Sequence, residues 1–276
     1  GKYDGIFHGE TAFPTISAWY VLPPLALLFI TRLGIPVSTT FLVLTFFAPK
    51  ALPQMLVKSL GGYGVAFTFA IVAFIALSKV TERLFMRYPL YGQDYGLWTN
   101  RRLWTGLQWT STGFLWSQWL TQDLVNIMVY LGDPREVSLG TFLFALFVLL
   151  AMLGYIFFRR GGKIQEIVRE KTNTQDIRSA TFIDLFYGLV LLLFKFDTLG
   201  IGAKIPMSTT WVFLGMLAGR EVALRLRLDE ANQDGKKVWT MVLTDFGKAT
   251  IGLAVSVLLV VFLYLVEGRE LVQLIG

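Results

Sequence analysis

Long runs of apolar residues alternate with short charged segments along the whole chain. Six runs, at about 1.5 Å of rise per residue, are long enough to cross about 30 Å of hydrocarbon as helices. They are residues 14–33, 60–78, 104–131, 139–158, 181–199 and 238–265. Two shorter apolar pieces begin at Pro36 and Pro206 and are typical of half-helices, re-entrant arms or short tilted spans. The pattern predicts an all-α, polytopic membrane protein.

Composition narrows the function classes further. The 276 residues are 54% hydrophobic and only 16% charged, whereas soluble domains carry about 25% charge. The chain has no cysteine and one histidine, His8, which excludes disulfides and thiolate metal sites and leaves little imidazole chemistry. We therefore expect neither an enzyme nor a cofactor, apart from a bound Na⁺ ion. The +6 net charge is not gathered in one tract, so nucleic acid is not an expected partner.

The basic residues predict how the chain is oriented in the membrane. Lysine and arginine are concentrated in three connectors, residues 79–102, 159–178 and 220–237, whereas residues 133–138 contain only Arg135. If each short apolar piece counts as one crossing, all three basic connectors lie on the same side. The positive-inside rule makes that side cytoplasmic.

The chain contains an internal repeat. The sequence GIPVSTT at residues 34–40 returns 170 residues later as KIPMSTT, and MLVKSLG at residues 55–61 is echoed by MVLTDFG at residues 241–247. Chance recurrence in a hydroxyl-rich protein is the alternative, but both similarities occur in the same order. We expect two copies of one unit, an incomplete one in residues 1–103 and a second in 104–276. The predicted orientation inverts them, as in secondary transporters with a midplane site.

We name residues 36–40 and 206–210 the first and second Ser-Thr-Thr elements. Proline is tolerated at a helix start, and Ser and Thr are favoured caps. A helix start inside the membrane presents unpaired N–H groups and a positive dipole end to an anion. The candidate anion ligands are Ser38, Thr39, Thr40, Ser208, Thr209 and Thr210. The alternative is that these hydroxyls only cap broken helices or bond to a neighbouring helix.

A second polar cluster lies in the apolar run 104–131 and consists of Gln122, Asp123 and Asn126. Positions 122 and 126 share a helix face, and Asp123 lies beside it. A carboxylate inside a membrane span is costly and is a candidate for a cation or proton site. We expect Asp123 and Asn126 to bind the coupling cation, with Asp123 as a Na⁺ ligand. The alternative is a hydrated structural cluster near the outer interface.

These motifs resemble those of the inorganic phosphate transporters of the PiT type. That family carries Pro-Val-Ser-Thr-Thr-His twice, and Gln122-Asp123-Leu124-Val125-Asn126 looks like an altered form of its Gly-Ala-Asn-Asp-Val-Ala-Asn-Ala element. The resemblance implies a divergent member that lacks the N-terminal part of the first repeat, with Gln122 among the substrate ligands. Phe41 and Trp211 replace the family's histidines, and we expect both to pack against neighbouring helices.

Two hypotheses follow from different classes. The first is a secondary transporter of an inorganic oxyanion, phosphate before sulfate, coupled to Na⁺ or H⁺. The second is a transport-inactive, transporter-derived subunit that buttresses a larger membrane complex; the altered motifs motivate it. The expected partners are the oxyanion, the lipid bilayer, and either a second copy of the chain or other membrane subunits.

Overall fold

The computed structural model describes residues 18–87, 96–131, 136–159, 177–195, 207–227 and 235–266. The first part contains a 3-10 turn, Ala18–Val21, helix α1, Leu22–Arg32, and a π-helical turn, Thr40–Leu44, which continues into α2, Thr45–Phe47. A second 3-10 turn, Pro49–Ala51, leads into α3, Leu52–Arg87. After the 3-10 turn Gly96–Trp98 come α4, Arg101–Asp123, and α5, Val125–Met128. The last four helices are α6, Leu139–Phe158, α7, Ile177–Lys195, α8, Thr209–Arg227, and α9, Gly235–Val266.

Four of these helices contain stretches long and apolar enough to cross a membrane. The stretches are Leu52–Ala76, Leu139–Ile156, Ile177–Lys195 and Trp239–Val266. Every regular element in the described ranges is helical, so the prediction of an all-α polytopic membrane protein is confirmed. The division into copies at residues 103 and 104 stays a prediction.

Two of the six apolar runs differ from their prediction. The run 14–33 contributes only a shorter apolar helical stretch, Ala18–Arg32, to the described residues. Residues 104–131 include most of α4 and all of α5, and the single turn residue between these helices, Leu124, has helical backbone angles, φ −59° and ψ −29°. This second run is absent from the four candidate spans. The reason is its content of amide and hydroxyl side chains, which include Gln108, Ser111 and Gln118.

Helices α3 and α8 approach each other closely through small residues. A Cβ atom at Gly215 would clash with the carbonyl oxygen of Tyr63, and one at Gly219 would clash with that of Phe67. Glycines four residues apart let two helix backbones meet inside a membrane. Since position 63 pairs with 215 and position 67 with 219, the two helices run parallel. Both therefore point their C-terminal ends the same way, toward the basic connectors 79–102 and 220–237.

Helices α4 and α7 are joined by polar side chains. The Asp184 carboxylate accepts hydrogen bonds from the Gln108 amide at 2.8 Å and from the Thr112 hydroxyl at 2.6 Å. The Thr181 hydroxyl donates to the Gln108 oxygen at 2.7 Å. Hydrogen bonds between side chains are a common means of holding membrane helices together. This cluster fixes α4 beside α7.

Helix α6 differs from the other candidate spans. Its stretch Leu139–Ile156 has a mean hydropathy of 2.4, and none of it is buried within the described structure. A helix that is apolar on all sides belongs in lipid or against another membrane protein.

Candidate functional site

The two Ser-Thr-Thr elements meet directly, through a reciprocal pair of hydrogen bonds. The Thr40 hydroxyl donates to the carbonyl oxygen of Met207 at 3.5 Å. The Thr210 hydroxyl donates to the carbonyl oxygen of Val37 at 3.4 Å. Thr210 is the repeat equivalent of Thr40, and Met207 is that of Val37. Two copies related by a two-fold axis would form such a reciprocal pair of hydrogen bonds.

Each element also docks against the long helix that follows the other element in the sequence. In the second element, the Ser208 N–H donates to the hydroxyl of Ser59 on α3 at 2.8 Å. In the first, the carbonyl oxygen of Pro36 would lie 2.6 Å from a Cβ at Gly252 on α9. Ser59 and Gly252 therefore mark the two places where an element contacts a long helix. Pro206 lies outside the described residues.

The two serines act as helix caps. The Ser38 hydroxyl accepts from the N–H of Phe41 at 3.2 Å, and the Ser208 hydroxyl accepts from the N–H of Trp211 at 3.3 Å. Both side chains are buried. The hydroxyls of Ser38, Thr40, Ser208 and Thr210 therefore have partners within the protein, as the capping interpretation expects, while Thr39 is half-buried.

Thr209 links the second Ser-Thr-Thr element to the polar cluster of Gln122, Asp123 and Asn126. Its hydroxyl lies 3.1 Å from Oδ2 and 3.4 Å from Oδ1 of Asp123, to which it donates. The Asn126 amide donates to Asp123 Oδ1 at 3.5 Å. The structure thus brings Thr209, a predicted anion ligand, into contact with Asp123, and Asp123 into contact with Asn126, the other residue predicted to bind the coupling cation.

Gln122 is the most unusual residue of this cluster. Its side chain is 0% exposed, and among the described residues neither the amide oxygen nor the amide nitrogen has a hydrogen-bond partner. Within the same described ranges, the side-chain oxygens of Asn126 and Gln118 are also buried and lack a hydrogen-bond partner. Each such group costs about 1–3 kcal/mol. A bound ion, a polar ligand or water would satisfy them.

Four residues of this region carry oxygen atoms of the kind that a monovalent cation binds. These atoms belong to the carboxylate of Asp123, the amides of Gln122 and Asn126 and the hydroxyl of Thr209. Hard cations prefer such oxygen ligands. In the part of the chain that the structure describes, no three His, Cys, Asp or Glu residues are grouped as a metal site. A cation at this point would be held by one carboxylate and neutral oxygens.

Two residues of this region were not predicted from the sequence. Ser59 binds the backbone of the second element, as described above, and the adjacent Lys58 is only 1% exposed. Both lie in the repeated sequence MLVKSLG, whose counterpart contains Thr244 and Asp245. The sequence signal that could have identified Lys58 and Ser59 is the presence of polar residues at the same two positions of both repeated sequences.

The two aromatic residues that follow the elements pack as expected. Phe41 is 1% exposed and Trp211 is 3% exposed. The Trp211 ring lies 6.3 Å from that of Tyr63 on α3 and 5.5 Å from that of Phe246 on α9, measured between centroids. Trp211 therefore fixes the start of α8 between the two long helices.

No known protein family, curated protein or solved structure matches the chain. The resemblance to the phosphate transporters therefore rests on the short motifs alone.

Proposed function

We propose that this protein is a secondary transporter of an inorganic oxyanion, with phosphate the first candidate and sulfate the second, driven by Na⁺ or H⁺. The observation that carries the proposal is the contact of Thr209 with Asp123, beside the unsatisfied amide of Gln122. It couples an element suited to an anion with a carboxylate suited to a cation. A cation bound at Asp123 would favour an anion on the adjacent hydroxyls, and the anion would favour the cation by the same factor.

The hydrogen bonds that close the elements do not oppose this function. They are 3.2–3.5 Å long, at or beyond the upper end of the usual range. A typical net contribution is about 1 kcal/mol each, and an oxyanion offers the threonine hydroxyls stronger, charge-assisted bonds. The proposed ligands remain Ser38, Thr39, Thr40, Ser208, Thr209 and Thr210, and Gln122 is a further proposed ligand.

Uptake of radiolabelled phosphate by proteoliposomes, under an inward Na⁺ gradient and separately under a proton gradient, tests the proposal. We expect Asp123→Asn to abolish the dependence of uptake on the coupling cation, because the amide lacks the negative charge. The matched control is Asp184→Asn, which changes a carboxylate bound to α4 rather than to a Ser-Thr-Thr element. Equal coupling in wild type and Asp123→Asn would remove the assigned role of Asp123.

The second candidate function is that of a transport-inactive subunit in a larger membrane complex. The observation that favours it is α6, which is apolar but not buried anywhere in its crossing stretch. Purification in a mild detergent distinguishes the two. Constant stoichiometry with other subunits and no phosphate uptake would favour this candidate, whereas an isolated monomer or homodimer with uptake would exclude it.

A further inference from the structure

A cavity of about 310 Å³ opens between α3, α8 and α9. Its walls are apolar and include Leu214 and Leu217 of α8. Its polar groups are the carboxylates of Glu221 and Asp245, the hydroxyl of Thr244 and the ammonium of Lys248. Charges of both signs therefore face one space that the Ser-Thr-Thr elements do not line.

The cavity leads from the ends of two helices toward their interior. Glu221 lies near the C-terminal end of α8, and Met241 lies near the start of α9. Both helix ends adjoin the basic connector 220–237, which the charge distribution predicts to be cytoplasmic. Tyr63 and Phe246 line the same cavity further along α3 and α9.

Three aromatic rings stand at this inner end. The centroids of Tyr63 and Phe246 are 5.5 Å apart, and each ring also contacts Trp211, at 6.3 and 5.5 Å. One ring comes from each of α3, α8 and α9. Tyr63 and Phe246 face the cavity, whereas Trp211 is behind them and is not one of its lining residues.

The Ser-Thr-Thr elements lie on the other side of the three rings. The N–H of Trp211 donates to the Ser208 hydroxyl. On α9, Phe246 is followed by the buried Ala249 and then by Gly252, against which the first element is packed. The order from the cavity is therefore Tyr63 and Phe246, then Trp211, then the elements.

We propose that this cavity is the cytoplasmic vestibule of the site between the Ser-Thr-Thr elements, and that the rings of Tyr63, Trp211 and Phe246 close it. The vestibule presents charges of both signs to the oxyanion and its coupling cation. They are Lys248, Asp245 and the Glu221 carboxylate, which is paired with Arg220 at 2.9 Å. Separating the rings opens the path. The inference rests on the proposed transport function, since an access path implies a transported solute, but its test does not require transport.

The chain has no cysteine, so single cysteines report accessibility without background. Thr244→Cys places a thiol in the cavity, and Ala249→Cys places one behind the rings with little change in volume. An impermeant methanethiosulfonate reagent is applied to vesicles of either orientation. We expect Thr244→Cys to react only from the cytoplasmic side and Ala249→Cys to react slowly from both sides.

Removing one ring should open the path. In the Ala249→Cys background, we expect Trp211→Ala or Phe246→Ala to increase the cytoplasmic labelling rate about tenfold. Each substitution removes two ring contacts of about 0.7 kcal/mol, and a tenfold change corresponds to about 1.4 kcal/mol. Trp211→Phe keeps a ring and should have a smaller effect, while Trp239→Ala, an exposed residue of the same helix as Phe246, should have none. Circular dichroism and size-exclusion chromatography show whether each variant is folded. If Trp211→Ala or Phe246→Ala fails to fold, Trp211→Phe or Phe246→Leu replaces it.

Fast labelling at position 249 with all three rings present, no effect of removing a ring, or labelling at position 244 from the outside only would overturn the vestibule. The same vesicles are assayed for phosphate uptake. Labelling as expected without uptake would leave the vestibule standing and contradict the transport function. Phosphate uptake together with a labelling rate at position 249 that does not depend on the rings would support the transport function and contradict the vestibule.

Discussion

The side chain of Gln122 is fully buried, and its amide group makes no hydrogen bond to any residue that the structure describes. Replacing it by leucine, which has a similar volume, removes two unsatisfied polar atoms. We expect Gln122→Leu to raise the free energy of unfolding by about 1–3 kcal/mol and to abolish uptake. The control is Gln118→Leu, whose amide nitrogen bonds Ser117 at 2.8 Å, so its gain should be smaller. Thermal unfolding in detergent and uptake in proteoliposomes measure both effects; loss of stability in Gln122→Leu would contradict the interpretation.

Thr209 and Thr210 are neighbours with different partners, the Asp123 carboxylate and the carbonyl oxygen of Val37. We expect Thr209→Val to raise the concentration of coupling cation needed for half-maximal uptake about tenfold, since a hydrogen bond to a charged group contributes about 1.5–3 kcal/mol. Thr210→Val should raise the KM for phosphate and leave the cation requirement unchanged, because the Thr210 hydroxyl donates to Val37 and not to Asp123. Uptake measured against both concentrations separates the two, and identical effects of the two substitutions would refute distinct roles.

For single residues, the sequence repeat predicted which hydroxyl side chains form the two Ser-Thr-Thr elements, but it did not predict what each side chain contacts. The bond between Thr209 and Asp123 joins α4 to α8, two helices 86 residues apart at this contact. No local pattern encodes such an approach. Lys58 and Ser59 were missed because two polar residues within a long apolar helix resemble an interruption between spans.

At the scale of the element, the packing of α8 against α3 depends on Gly215 and Gly219, where a Cβ would meet backbone atoms of the other helix. We expect Gly219→Ala to destabilise the protein by about 1–3 kcal/mol, the usual cost of overpacking. Gly247→Ala is the control, because a Cβ there meets nothing within 4 Å, and alanine favours a helix over glycine by up to about 1 kcal/mol. Equal unfolding temperatures for the two variants would contradict the close approach.

The elements show where hydropathy alone misplaces a boundary. The apolar run at residues 60–78 predicts the middle of α3, but the helix begins at Leu52. Its start contains Pro53, and proline is favoured in the first helical turn. Lys58 and Ser59 then continue the helix without ending it. Helix formation follows from backbone geometry and capping, whereas the hydropathy pattern reports only the parts that lipid or core surrounds.

At the scale of the whole molecule, the parallel packing of α3 and α8 agrees with one cytoplasmic side for the basic connectors. We expect an impermeant thiol reagent to label Ser138→Cys on intact cells and to leave Arg169→Cys unlabelled until the cells are opened, because the positive-inside rule retains the connector 159–178. Labelling of position 169 from outside would overturn this orientation. Both cysteines are single in an otherwise cysteine-free chain, so each serves as the control for the other.

The exchange of contacts between the two Ser-Thr-Thr elements has a consequence for biosynthesis. The reciprocal hydrogen bonds join residues 167 and 173 positions apart. The second element contacts α3, which is synthesised long before it. Until residue 210 has been synthesised, the Thr210 hydroxyl cannot donate to the carbonyl oxygen of Val37. The face of α3 that Gly215 and Gly219 later contact is then exposed to lipid. The membrane must therefore hold the first half in a provisional arrangement. Two separately expressed halves should complement each other, whereas either half alone should be removed by quality-control proteases.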